Sequence, residues 1–234
     1  MKNESTIWQA AHGAETDFWK RAVSLLESTK GILYHLNNHV SSFDFAAQKI
    51  SSCIVRKALE IGVGPSGIGT LPFLLDDAEL IGVDPIARLE FHCLDPFLDD
   101  YVQSLRKRVE YREMMGESLK FEDASFDLVA SHNAIDHAKN PLEILVEAHR
   151  VLKPKGLFLL AVDTFSLAGL IKYHMFKPVR SKDFFYVAHP HAYTHAMLRK
   201  ELRKVGFGII AEVGTERPLL GHSRMSKFLA ERMG

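Results

Sequence analysis

Glu60, Gly62, Gly64, Gly67 and Asp84 combine residue type and spacing in a way that serves a ligand. Residues 58–70 read Ala-Leu-Glu-Ile-Gly-Val-Gly-Pro-Ser-Gly-Ile-Gly-Thr, an apolar strand that ends in a carboxylate and breaks into a glycine-rich turn. Glycines there let the backbone bend sharply and approach a ligand, and the N–H groups opening a following helix point to the same place. Asp84 closes the next apolar run, where a carboxylate accepts hydrogen bonds from the ribose hydroxyls of an adenosine. An adenosine cofactor is therefore expected. The charge of Glu60 narrows the choice, because a dinucleotide would bring its pyrophosphate to the same loop. At roughly 4 Å and an effective dielectric near 20, each like-charge contact costs about 4 kcal/mol. S-adenosylmethionine has no phosphate and carries an ammonium and a sulfonium, so Glu60 would attract it. The plain alternative is a buried strand-end acid that caps the following helix.

The elements that must hold these residues follow from periodicity. Apolar strands near 56–62, 79–84, 109–112 and 126–131 alternate with helices expected after Gly67 and around 96–107, the pattern of a parallel sheet covered on both faces. Asn140 and Pro141 open a helix whose inner stripe is Leu142, Leu145, Val146 and Leu152, stopped by Lys153-Pro-Lys-Gly156. Leu157 to Val162 reads as a central strand. Thr194 caps a last helix that Gly206 ends, and Phe207–Val213 with Ser226–Arg232 read as an antiparallel pair. The expected fold is α/β: a doubly wound, Rossmann-like, seven-stranded sheet, mostly parallel, with an antiparallel C-terminal strand and an N-terminal helical cap. Residues 1–54 form the cap, 55–234 the cofactor-binding domain, and 164–193, too long for a simple connection, an acceptor-binding insertion or lid.

Composition excludes several classes. The 234 residues are 47% hydrophobic and 25% charged, with 29 basic and 29 acidic side chains, so no global field recruits nucleic acid. Only Cys53 and Cys93 are present, which fits a reducing, cytoplasmic setting. The N-terminus lacks an apolar signal core, and the stretch Gly156–Ile171 is too short and too polar to span a bilayer. Arg106-Lys-Arg108 reads as a solvated helix end.

Several separated motifs resemble the class I S-adenosylmethionine-dependent methyltransferases. Leu59-Glu-Ile-Gly-Val-Gly64 is similar to that family's nucleotide loop, Ile81-Gly-Val-Asp84-Pro85 to its ribose-binding strand end, and Phe126-Asp-Leu-Val with His149-Arg-Val-Leu-Lys-Pro-Lys-Gly156 to its fourth strand and following helix. Gly116-Glu117-Ser118-Leu-Lys-Phe121 resembles the loop beside the adenine, with Lys120 replacing a proline and Met115 replacing a frequent aspartate. Asn133-Ala-Ile135-Asp136-His137 is similar to the segment after the fourth strand. The resemblance implies that Asn133 and Ile135 line the cofactor pocket and that Asp136 looks toward the methyl group. It also implies a small-molecule acceptor, such as a saccharide or secondary metabolite.

Methyl transfer asks mainly that the acceptor be held in line with the sulfonium, and a hydroxyl acceptor must also lose a proton. Asp136 and His137 are the candidate catalytic pair, although His137 could equally bond loop backbone and shape the turn. Tyr173, His174, His189, His191 and Tyr193 are the candidate acceptor contacts, with Phe184-Phe-Tyr186 as an acceptor wall or a mere hydrophobic cover. His189, His191 and His195 cluster in sequence without an acid among them, so no metal site is expected. Trp19, in Glu15-Thr-Asp-Phe18-Trp19, is a candidate lid over the site, or plain packing. Methyl transfer to oxygen is the preferred activity. A nicotinamide-dependent oxidoreductase and an inactive cofactor-binding protein remain as alternatives.

Overall fold

A computed structural model describes residues 4–180, 182–214 and 224–234. Seven strands form one sheet: β1 Lys57–Ile61, β2 Glu79–Asp84, β3 Val109–Glu113, β4 Phe126–His132, β5 Leu152–Thr164, β6 Phe207–Val213 and β7 Arg224–Arg232. Their order is β3-β2-β1-β4-β5-β7-β6; β7 runs antiparallel to both neighbours and the other pairings are parallel. The expected doubly wound sheet is thus observed. The chain turns outward in opposite directions from β1 and β4, and the crevice beyond their carboxyl ends is where open α/β sheets bind ligands.

Both faces of the sheet are covered. On one, α5 Pro141–Val151 and α8 His195–Val205 bury Ile144, Leu145, Ala148, Leu198 and Leu202 against Leu59, Val129, Phe158 and Leu160. Thr194 caps α8 by accepting from Met197 N–H, and Gly206 ends it with a left-handed φ of 112°. Asn140 stands at the start of α5, but its side chain makes no capping bond; the neighbouring N–H groups of Lys139 and Asn140 turn instead to Glu117.

On the other face the expected helix after Gly67 is missing. Its place holds a single 3₁₀ turn, Leu71–Phe73, entered from Gly69 at a left-handed φ of 66°. The N-terminal segment covers the exposed sheet. After α1 Glu4–Glu27 and α2 Thr29–Ser42, the residues Phe43, Ala46 and Ile50, the last on α3 Ala47–Ser51, pack fully buried against Ala58, Leu80, Leu128 and Leu159. Leu26, Ile32 and Leu36 of α1 and α2 form a further cluster with Val102 and Leu105 of α4 Pro96–Arg108.

Arg106 and Arg108 are not solvated ends. Arg106 is 3% exposed and its guanidinium donates to the carbonyls of Leu89 and Phe91, while Arg108 donates to those of Pro72, Leu75 and Asp76. They fasten loops that have few backbone partners of their own. No helix among the described residues is long and apolar enough to cross a membrane.

Candidate active site

The glycine loop closes on itself through Glu60. This carboxylate is 1% exposed; Thr70 N–H donates to its two oxygens at 3.0 and 2.7 Å, and Leu71 N–H donates to Oε2 at 3.1 Å. Burial raises its pKa to about 7, against these hydrogen bonds. A Cβ on Gly69 would stand 2.5 Å from Glu60 Oε2, so the glycine is required by the carboxylate beneath it. Glu60 therefore holds the turn and does not reach the ligand side, which is the plainer of its two sequence readings.

Above the loop lies a cavity of about 820 Å³. Its floor is Gly62, Gly64, Asp84, Pro85, Gly116, Glu117 and Asn133, which brings together seven residues expected around the cofactor. Gly62 has a φ of 75°, and a Cβ there would overlap the Ala134 side chain. Asp84 accepts Gly64 N–H at 3.0 Å and Ile86 N–H at 2.9 Å, while burial pushes its pKa up to about 6. Glu117 Oε1 accepts from Lys139 and Asn140 N–H at 2.8 and 3.2 Å. Asn133 adopts a left-handed φ of 49°, unusual outside glycine, and its side chain is tied to the backbone and carboxylate of Asp163. Gly67, Ser118 and Ile135 stay off the cavity wall: Gly67 packs on Arg88, Ser118 is exposed, and Ile135 is fully buried in the core.

The roof comes from α1 and α2. Trp19 lies over Gly64, where an added Cβ would be 3.5 Å from the indole, and Phe18 stacks on Phe184 of α7 Phe184–Ala188 with centroids 5.3 Å apart. Behind Trp19 runs a row of imidazoles that none of the sequence motifs announces. His35 and His39, one turn apart on α2, and His132 at the end of β4 meet edge to face, with successive centroids 4.7 and 5.4 Å apart. Their hydroxyl partners are Ser66, Thr70 and Ser42. Burial, with repulsion from neighbouring imidazoles at His35 and His39 and from Lys227 at His132, lowers His35 and His132 to about 4 and holds His39 well below the usual histidine range, so all three are neutral. The four-residue spacing of His35 and His39 was the available signal.

At one end of the cavity, three distant stretches converge. His189 Nδ1 lies 2.7 Å from Asp136 Oδ2, and the His137 and His189 rings are 4.2 Å apart. His137 Nδ1 donates to Ala188 O at 2.8 Å and lies 3.2 Å from Glu15 Oε1, while its Nε2 is 3.7 Å from Asp136. Burial opposes a charge on His137, but Asp136 and Glu15 outweigh it and raise the imidazole to about 9. Asp136 is 3% exposed; burial would raise it, yet the neighbouring His137 and His189 hold it below the usual carboxylate range. Both rings line the cavity; His137 has protein partners on both nitrogens, whereas His189 spends Nδ1 on Asp136. A carboxylate bonded to one nitrogen of an imidazole leaves the other as a proton acceptor.

The remaining acceptor candidates lie elsewhere. Tyr173 is buried with its hydroxyl on the His189 carbonyl, and His174 is exposed on the outer surface. His191 bonds the Ala138 carbonyl and, with Tyr193, lines a separate cleft beside α8. His195 pairs with Glu212, so the three histidines clustered in sequence diverge in space. Of the six acceptor candidates, Trp19 and His189 reach the main cavity.

A family model described as a methyltransferase domain matches residues 59–160. An uncharacterized methyltransferase of Schizosaccharomyces pombe is 32% identical over 111 residues, covering 43% of this chain and 37% of that protein. A ubiquinone biosynthesis O-methyltransferase of Roseobacter denitrificans is 26% identical over 107 residues, covering 43% and 38%. The chain thus spans about two-fifths of the length of these relatives. Among solved structures, a Burkholderia thailandensis 1,6-didemethyltoxoflavin-N1-methyltransferase, described with bound 1,6-didemethyltoxoflavin and S-adenosylhomocysteine, superposes with a TM-score of 0.59 at 15% identity, covering 95% of this chain and 89% of the other.

Proposed function

We propose that this chain, which belongs to the class I S-adenosylmethionine-dependent methyltransferases, moves a methyl group to a hydroxyl oxygen of a small molecule. The observation that carries the reading is the charge of the cavity wall. Among the described lining residues, Glu15, Asp84, Glu117 and Asp163 are acidic, and the cations that face them are Lys30 and the protonated His137, the latter paired with Glu15. Such a wall suits a sulfonium and an ammonium and disfavours a pyrophosphate. These four acids thus take the role expected of Glu60.

S-adenosylmethionine supplies a methyl group on sulfur that an acceptor oxygen takes by in-line displacement. Asp84 offers its carboxylate to the ribose, and the Met114–Glu117 stretch walls the adenine side. Trp19 closes the glycine loop from above and keeps water from it. Asp136 fixes the His189 ring, and the second nitrogen of that imidazole receives the acceptor proton as the new bond forms. Glu15 and the Ala188 carbonyl hold His137, which positions Asp136 and takes no proton from the acceptor. The similarity to the ubiquinone biosynthesis O-methyltransferases supports oxygen as the attacking atom.

Titration calorimetry tests the cofactor directly. Binding of S-adenosylmethionine and S-adenosylhomocysteine with no heat from NAD or NADP is expected, and the reverse result would overturn the reading. Turnover is then sought by mass spectrometry with phenol, sugar, amine and carboxylate pools, the mass gain of one methyl group marking the acceptor.

A further inference from the structure

Helix α6, Leu167–Phe176, is built inside out. In α8, the ordinary case, Leu198 and Leu202 face inward while Lys200, Arg203 and Lys204 lie on the outer side. In α6 the buried positions are Gly169 and Tyr173, and the outward side carries Leu167, Ile171 and Met175, which are 70%, 55% and 67% exposed. These three stand on successive turns, and Phe176 and Val179 extend the apolar surface past the helix end. One exposed apolar residue is ordinary; a continuous ridge of five is not.

Charge indicates what covers it. Lys172, Lys177, Arg180 and Lys182 border the ridge, and no Asp or Glu occurs between positions 164 and 182. Lys177 donates to the Pro190 carbonyl and Arg180 pairs with Asp183, while Lys172 and Lys182 are exposed and have no carboxylate partner among the described residues. An apolar ridge bordered by lysines matches the interface of an anionic bilayer, with side chains entering the acyl boundary and ammonium groups at the phosphates. A second copy of this chain would bring the same positive border against itself. The next helix in the chain after α6 is α7, whose Phe184 lines the cavity beside Phe18.

We propose that α6, with residues 177–180 and Lys182, seats this protein on an anionic lipid surface. Resting on the methyl-transfer reading, the acceptor is then an amphipathic molecule whose polar head enters the cavity past Phe184 while its apolar part stays in the bilayer.

Co-sedimentation with vesicles tests the seat without cofactor or acceptor. The protein should pellet with phosphatidylcholine vesicles containing phosphatidylglycerol and far less with phosphatidylcholine alone. The combined Leu167→Asp, Ile171→Asp and Met175→Asp variant should lose binding by about tenfold or more while keeping its melting temperature and its affinity for S-adenosylhomocysteine. Lys172→Glu with Lys182→Glu should remove the preference for phosphatidylglycerol. Absence of pelleting with either vesicle, or undiminished pelleting of the triple variant, overturns the proposal. So does a wild-type dimer in light scattering that the triple variant converts to monomer without any vesicle binding, which would assign the ridge to a second copy. Vesicle binding is read separately from calorimetry, so loss of cofactor binding would refute the methyl-transfer reading and leave the seat standing.

Discussion

At the scale of single residues, two carboxylates have partners that their sequence positions do not announce. Glu60 ends β1 beside the glycine loop, but its oxygens are filled by Thr70 and Leu71 N–H. Glu60→Ala would strand both donors in a buried site at about 1–3 kcal/mol each, so the expected outcome is a marked drop in denaturant midpoint. Cofactor affinity measured well below that midpoint should change little; a stable variant with weakened binding would return Glu60 to the ligand. Asp136 is the converse case, legible from its neighbours in sequence only as one of a pair with His137. Its hydrogen-bond partner, and its partner in the proposed mechanism, is His189, 53 residues away, which no spacing rule connects to it. Asp136→Asn and His189→Gln should each lower kcat about a hundredfold or more while S-adenosylhomocysteine binding persists. Full turnover in His189→Gln, with loss in His137→Gln, would restore His137 as the base.

At the scale of elements, what could be read from sequence was whatever local periodicity and capping determine. The strand boundaries of β2 and β4, the α8 cap at Thr194 and its stop at Gly206 all lie where the residue types place them. The glycine loop misled in one respect: the spacing that announces a helix is followed by Gly69 in a left-handed conformation, and the two N–H groups that Glu60 accepts open a single 3₁₀ turn. The imidazole row was equally out of reach, because His132 joins His35 and His39 only once α2 lies across the sheet. That row makes the contact between α2 and β4 sensitive to acid. In the unfolded chain the three imidazoles protonate near the ordinary value of 6.5, whereas burial keeps His35 and His132 neutral down to about 4. Between those values the unfolded state binds more protons, so stability falls as pH drops through this window. For each imidazole the loss amounts to about 1.4 kcal/mol per pH unit. Denaturant melts across the same range should show it, and His35→Gln with His132→Asn should flatten the dependence; parallel curves for the two proteins would refute the assignment.

At the scale of the whole molecule, the N-terminal segment supplies two things the sheet cannot supply for itself. It roofs the cavity with α1 and α2, and it fills the sheet face left bare where the loop after β1 forms no helix. These jobs fall to different residues, so they can be separated. Phe43 is fully buried among Leu80, Leu128 and Leu159, and truncating a buried phenylalanine to alanine removes about 3–5 kcal/mol. Phe18 is 39% exposed and touches the roof through Trp19 and Phe184. Phe43→Ala should therefore lower the melting temperature strongly, and cofactor affinity measured on the folded fraction should stay near that of the parent. Phe18→Ala should leave the melting temperature within a few degrees and weaken cofactor binding, because the roof no longer holds Trp19 against the glycine loop. If both variants instead moved stability and affinity together, cap and sheet would act as a single cooperative unit, and the division between roof and core would have to be abandoned.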